Sequence, residues 1–213
     1  MSLLNDITNQ VKACTDCPLH ETRTNAVSDF INNGARLTII SMFPSAMEDM
    51  SGEGFTGKTA QIITNLLLSA SMTIITDEGI VSEINSLESK CINYINLLKC
   101  ICPAGNEHYE LYTFQCYHYI REQLILLKPK VIWVLGEHTL QYLLGWADYN
   151  DPKKPFYQPA NIKLKDVYEK HGGVLKDRYG VIIPTPFPTE PEFVKDQDRY
   201  LSIIYENIIK FYE

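Results

Sequence analysis

The residues of this chain with most chemistry in them are its cysteines, one pair of adjacent carboxylates and one glycine-punctuated loop. Cys14 and Cys17 form a Cys-x-x-Cys pair, and Cys100 and Cys116 stand sixteen positions apart further along. Soft thiolates from two separated pairs suit zinc or an iron–sulfur cluster, and spacing alone does not choose between them. The plainer reading is a fortuitous pair plus core cysteines. Cys91 and Cys102 lack such partners and read as buried or spare thiols. The stretch SMFPSAMEDMSGEGFTG, Ser41 to Gly57, carries Glu48 and Asp49 and then glycines around Phe55. Adjacent carboxylates can orient a water or face a developing cation. The first half of the same stretch holds Met42 and Phe43, where a catalytic loop more often holds glycine and charge.

These residues need elements to position them. ARLTIISM, CINYINLLKC, KVIWVLG and GVIIP read as four short buried strands. Helices are expected near the N-terminus (Leu4, Ile7 and Val11 in register), over Lys58–Met72, over Glu110–Leu127, over EHTLQYLLG and over Phe193–Tyr212. Trp146–Gln158 is polar and proline-containing and reads as loop. Strands alternating with helices predict an α/β three-layer αβα sandwich around a mostly parallel four-stranded sheet. In such sheets the ligand lies past the carboxyl ends of the strands. The segments there are SMFPSAMED, NLLKCICP, GEHT and TPFPTEP, so any site is expected to draw on them.

The 213 residues are 45% hydrophobic and 21% charged, which suits one domain spanning residues 1–213. No apolar run reaches the length of a membrane span, and MSLLNDITNQ lacks the pattern of a signal peptide. The expectation is a cytoplasmic monomer with no membrane partner. Disulfides are disfavoured in that compartment, which gives metal binding more weight. The net charge of −7 argues weakly against a generic basic nucleic-acid binder. A DNA enzyme needs positive charge on one face only, and Arg23, Lys58, Lys99 and Lys163 are candidates for it.

Several of these segments together resemble the family-4 uracil-DNA glycosylases. CTDCPLHETRTNAV is similar to that family's N-terminal signature, through Cys14, Cys17, Leu19, Arg23 and Val27. EDMSGEGFTGKT resembles its Glu-Asp…Gly-x-Pro-Phe-x-Gly stretch, and NYINLLKC its Thr-Asn-x-x-Lys-Cys strand end. LKPKVIWVLGEHTLQYLLG is similar to its third strand and following helix, and VIIPTPFPTEP stands in the place of its Pro-Thr-x-His-Pro-Ser segment. The resemblance covers about residues 11 to 212 and implies a DNA glycosylase that extrudes a nucleotide and cuts its N-glycosidic bond. It implies a structural [4Fe-4S] cluster on Cys14, Cys17, Cys100 and Cys116, with zinc the alternative. It implies Phe55 as the ring stacked on the flipped base and Asn96 as the amide reading the base edge. It leaves Glu48, ahead of Asp49, as the catalytic carboxylate. Lys58, Lys99 and His108 are the expected DNA contacts.

The chain also departs from that family. The acidic residue after the first strand is replaced by Met42, and the histidine of the last motif by Phe187, which donates no hydrogen bond. Glu190 is nearby. His20, His118, His138 and His171 read as surface or helix residues. Met42, Phe43 and Phe187 would line a more apolar base pocket, together with Phe55 and Asn96. The reading taken here is a glycosylase retuned to a modified pyrimidine, including bulky cytosines of phage DNA and hence defence against phage. Uracil repair and a non-catalytic DNA- or protein-binding homologue are the alternatives.

Overall fold

The computed structural model describes residues 3–32, 34–69, 75–76, 79–80, 92–103, 109–145 and 159–209. All four expected strands form: β1 (Leu37–Ser41), β4 (Ile92–Asn96), β5 (Val131–Leu135) and β7 (Gly180–Thr185). β2 (Ile75–Thr76) and β3 (Gly79–Ile80) make a separate small antiparallel pair. A further edge strand, β6 (Leu175–Asp177), gives the main sheet five strands rather than four, in the order β4-β1-β5-β7-β6. It runs antiparallel to β7, while the other pairings are parallel. It escapes a sequence reading because three residues, LKD, carry no apolar alternation.

Every residue of β1, β4 and β5 is buried, and their mostly apolar sequences are interrupted by Thr38, Ser41, Asn93 and Asn96. One face packs Leu37, Ile39, Tyr94 and Trp133 beneath α3 (Lys58–Ser69) and α8 (Gln197–Ile209). The other packs Ile40, Ile95, Ile132 and Val134 beneath α4 (Tyr109–Leu127), α5 (Glu137–Gly145) and α6 (Leu164–His171). Each fully buried aliphatic side chain stabilises the fold by about 1.5–3 kcal/mol. The indole Nε1 of Trp133 donates to Thr185 Oγ1 at 2.9 Å, so β5 and β7 are tied inside the core as well as along their edges.

Helix α1 (Leu3–Ala13) buries Ile7 and Val11, the residues in helical register. The expected C-terminal helix is two helices, α7 (Pro191–Lys195) and α8, with the break at Asp196. Asp196 N–H donates to Glu192 and Phe193 carbonyls, closing α7 before Gln197 opens α8. The loop expected after β1 contains a short helix, α2 (Ala46–Ser51). The expected loop Trp146–Gln158, and residues 70–72 of the helix expected over Lys58–Met72, lie outside the described residues. Among the described residues, no helix is long and apolar enough to cross a membrane.

Candidate active site and cysteine centre

A cavity of about 670 Å³ opens past the carboxyl ends of β1, β5 and β7. Three of the four expected loops line it: Ser41–Ser45 with Glu48, Gly136–Thr139, and Phe187 with Glu190. β4 contributes Tyr94 from within the strand. Met42, Phe43 and Phe187 are half-buried wall residues, so the apolar lining expected from their types is present.

The two adjacent carboxylates have different places. Ser45 caps α2 and forms a reciprocal capping box with Glu48. Glu48 Oε2 accepts from Ser45 N and from Ser45 Oγ, both at 2.8 Å, and Oε1 accepts from Phe55 N at 2.7 Å. Glu48 is 3% exposed and lines the cavity. A carboxylate has about four acceptor positions. Among the described residues three are used, and the remaining one is on Oε1. Asp49 does not line the cavity. Its oxygens accept from Thr24 N at 3.1 Å and Asn25 N at 3.4 Å, which ties the N-terminal segment to α2. Its surroundings are those of a structural cap, which corrects the expectation that it shares a site with Glu48.

Phe55 has φ +63°, a left-handed backbone that costs a non-glycine residue about 1–3 kcal/mol. The bond to Glu48 holds it there. Its ring packs against Phe30 (5.4 Å between centroids) and Tyr94 (5.1 Å). It is half-buried against the core and does not itself line the cavity; Tyr94 does. Gly57 keeps this loop close to the α2 cap, since a Cβ there would sit 2.6 Å from Ser45 Oγ.

Asn96 ends β4 directly beside Ser41 in the sheet register. Its backbone is clamped: Asn96 N donates to Asp29 Oδ1 at 3.0 Å, and its carbonyl accepts from Lys99 Nζ at 2.8 Å. Its side chain is 0% exposed and, like that of Phe55, is not among the residues lining the cavity, and neither amide atom has a hydrogen-bond partner among the described residues. Lys99 is 1% exposed, pairs with Asp29 and also donates to Gln123 Oε1 at 3.2 Å. This corrects the expectation of a DNA contact at Lys99, because a buried, paired ammonium presents no charge to phosphate. Lys58 is exposed at the first residue of α3, and His108 lies outside the described residues. Arg23 is also turned inward, donating to Cys100 Sγ at 2.9 Å and to the Cys14 carbonyl.

Sequence reasoning passed over His138, Tyr94 and Lys165. His138 is exposed on the first turn of α5 and is the one imidazole lining the cavity among the described residues. Its signal was its place in GEHT, just past the end of β5. Tyr94 lies two residues before Asn96, so the strand's alternation puts both on one face. Burial raises the Tyr94 hydroxyl above its usual pKa, Glu48 and Asp29 reinforce that, and a hydrogen bond with Ser41 opposes it. Lys165 lines the cavity from α6, an element the sequence reading did not anticipate. Glu190 also lines it, but its carboxylate folds back to accept from Phe187 N at 3.2 Å.

Cys17, Cys100, Cys102 and Cys116 are buried in one cluster with Leu19 and Leu98, and Phe43 packs against it from the cavity side. Cys14 is half-buried on the neighbouring cluster around Tyr119. Burial raises the Cys17 and Cys100 thiols, and it pushes Cys116 up to about 12. Cys17 and Cys14 raise Cys100 further, Cys100 and Cys17 raise Cys116, and burial and then Cys17 raise Cys102. Among the described residues, no three His, Cys, Asp or Glu side chains are arranged to hold a single metal ion. Zinc needs sulfurs at about 2.3 Å from one centre. Soft, buried thiolates are the donor chemistry that either zinc or an iron–sulfur cluster takes. Cys91 lies outside the described residues.

The sequence profile of the Uracil DNA glycosylase superfamily matches residues 28–203. The chain belongs to this superfamily. The glycosylase is 29% identical to the Type-4 uracil-DNA glycosylase of Saccharolobus solfataricus over 172 residues, 81% of this chain and 67% of that protein. It is 28% identical to the Type-4 uracil-DNA glycosylase of Archaeoglobus fulgidus over 148 residues, 70% of this chain and 67% of the relative. A third protein of that name, from Sulfurisphaera tokodaii, is 25% identical over 188 residues, 88% of this chain and 75% of the relative. The chain is thus a DNA glycosylase, a hydrolase whose substrate is DNA.

Proposed function

We propose that this glycosylase removes a flipped-out pyrimidine, with uracil as the first candidate base. The observation that carries the reading is the Asn96 amide, buried without partners among the described residues. Burying an unsatisfied polar group costs about 1–3 kcal/mol, and such a group persists where a ligand satisfies it. An amide offers a donor and an acceptor side by side, the complement of a pyrimidine's N3–C4 edge. Uracil ranks first because it is the base in the names of the three relatives.

Hydrolysis adds a water oxygen to the sugar C1′ while the glycosidic electron pair leaves with the base, which takes up a proton. Glu48 supports the water and the developing positive charge through the open position on Oε1, its other acceptor sites being held by Ser45 and Phe55. His138 is suited to donate a hydrogen bond to the departing base, a role Phe187 lacks the chemistry for. Met42 and Phe43 exclude water from one wall. Phe55 supports the Tyr94 ring, and so the base-stacking surface, from behind the strand end. Cys14, Cys17, Cys100 and Cys116 would hold a [4Fe-4S] cluster, which when bound cross-links the N-terminal segment, the turn after β4 and α4.

A second reading, a pyrimidine enlarged by modification, is favoured by the cavity of about 670 Å³ and its apolar walls. Any defence role against phage DNA would follow only from that substrate. One experiment separates the readings: base release from matched oligonucleotides carrying uracil, hydroxymethylcytosine or glucosylated cytosine. Uracil release, lost in Asn96→Ala, is the expected result. Release of a modified cytosine alone selects the second reading, and release of none removes both.

A further inference from the structure

At the opposite end of the sheet lies a second cleft of about 690 Å³. It is bounded by the last turns of α4, the segment leading into β5 and the turn between β6 and β7. The catalytic cavity lies past the carboxyl ends of β5 and β7, whereas this cleft lies at their amino ends. A five-residue strand rises about 3.3 Å per residue, which separates the two ends by roughly 17 Å.

Arg121, Lys128, Lys130, Lys176 and Arg178 ring this cleft, all exposed, and Asp177 is the one carboxylate in its lining among the described residues. Arg121, Lys128, Lys130 and Lys176 have no ion-pair partner among the described residues. The chain carries 19 basic against 26 acidic residues, so five cations around one cleft are a segregated patch. Backbone geometry gathers them. Lys128 ends α4 at φ +46°, and Gly180 adopts φ +139°. A Cβ on Gly180 would stand 2.7 Å from the Pro129 carbonyl oxygen. Glycine therefore lets the turn carrying Lys176 and Arg178 close onto Lys128–Lys130, and Val181 N seals it to Lys130 O at 3.1 Å.

We propose that this basic cleft is a second DNA-binding surface, holding backbone phosphates of a segment other than the one whose base occupies the cavity. Lys and Arg dominate its lining among the described residues, and these side chains supply the contacts to backbone phosphate that carry sequence-independent binding. DNA is favoured over an acidic protein because it is the polyanion present in every productive encounter of a DNA glycosylase. The inference rests on that assignment and not on which base is excised. A phosphate grip at this end would keep the enzyme on DNA between sites, or carry it from one segment to another.

The test uses a short canonical duplex, too short to reach both ends, with binding followed by fluorescence anisotropy across salt. The wild-type protein is expected to saturate with two duplexes, and Arg121→Glu/Lys130→Glu/Arg178→Glu with one. The slope of log affinity against log salt should shrink by about 0.9 for each phosphate that the variant no longer neutralises. Lys12→Glu, a charge reversal outside both linings, should match wild type, and base release from a short substrate should be unchanged in the triple variant. Equal stoichiometry and slope in triple variant and wild type would overturn the proposal. So would protection of residues 121–130 and 176–181 from hydrogen exchange by a polyglutamate peptide and not by duplex, which would make the cleft a protein-docking site. If the triple variant does not fold, Lys130→Gln and the exchange pattern of the wild-type protein decide the same question. Failure to release any base leaves these binding readouts intact, so the two failures are distinguishable.

Discussion

Asn96 and Glu48 are both buried polar side chains, and their hydrogen bonding sets them apart. Glu48 is held by three bonds, while the Asn96 amide has none among the described residues. Asn96→Ala should therefore lower kcat/KM for base release by about a hundredfold or more, the scale of losing a buried polar interaction with a substrate. It should leave the melting temperature unchanged or higher, because a desolvated, unsatisfied amide is removed. A drop in both would make Asn96 a structural residue. Glu48→Gln keeps an N3 side chain able to complete a capping box, so the fold should persist. Loss of its charge should reduce kcat by about 10²–10⁴-fold with little change in KM, read from single-turnover kinetics. Asp29→Asn leaves the Lys99 ammonium buried without its counter-charge and should cost about 3–5 kcal/mol in urea unfolding.

At the scale of elements, the β1–α2–α3 segment does the positioning. The Ser45 cap starts α2, α2 presents Glu48, and Glu48 fixes the strained backbone of Phe55. Ser45→Ala removes the cap and one bond to the Glu48 carboxylate. Stability should fall by about 1 kcal/mol, with an accompanying loss of kcat, as judged by denaturant titration beside turnover. A loss of stability with unchanged turnover would detach Glu48 from the reaction. The sequence of this segment was legible as a loop at a strand end, and Glu48, Met42 and Phe43 were legible as residues near the cavity, whereas Phe55 packs beside Tyr94 and not in the cavity wall. The division of labour between Glu48 and Asp49 was not. Neighbouring positions on a helix turn about 100° apart, and only the packing of residues 24–25 against α2 decides which side meets the cavity.

Across the whole molecule, the cysteine cluster packs together parts of the chain that are far apart in sequence: the segment after α1, the turn after β4 and the middle of α4. Arg23 adds a bond from the N-terminal segment to Cys100 Sγ. Phe43 touches both this centre and the cavity. Cys100→Ser should abolish bound iron and acid-labile sulfide, lower the melting temperature and expose residues 3–27 to hydrogen exchange. Cys102→Ser should retain the iron. Iron retained in Cys100→Ser but lost in Cys102→Ser would reassign the fourth ligand to Cys102, which is buried in the same cluster.

Apolar runs and helical spacing in the sequence determined the strands β1, β4, β5 and β7, the sandwich, and three of the four loops expected at the cavity. These are local patterns with a fixed period, and burial on both sheet faces enforces them. Motif order determined the superfamily. Only the tertiary structure decided that Lys99 faces inward to Asp29, that Asp49 serves backbone amides and that His138 and Tyr94 line the cavity. Only it gathered the basic cleft at the far end of the sheet. Whether a side chain meets solvent, a partner or a cavity depends on residues tens of positions away, and no local period encodes that.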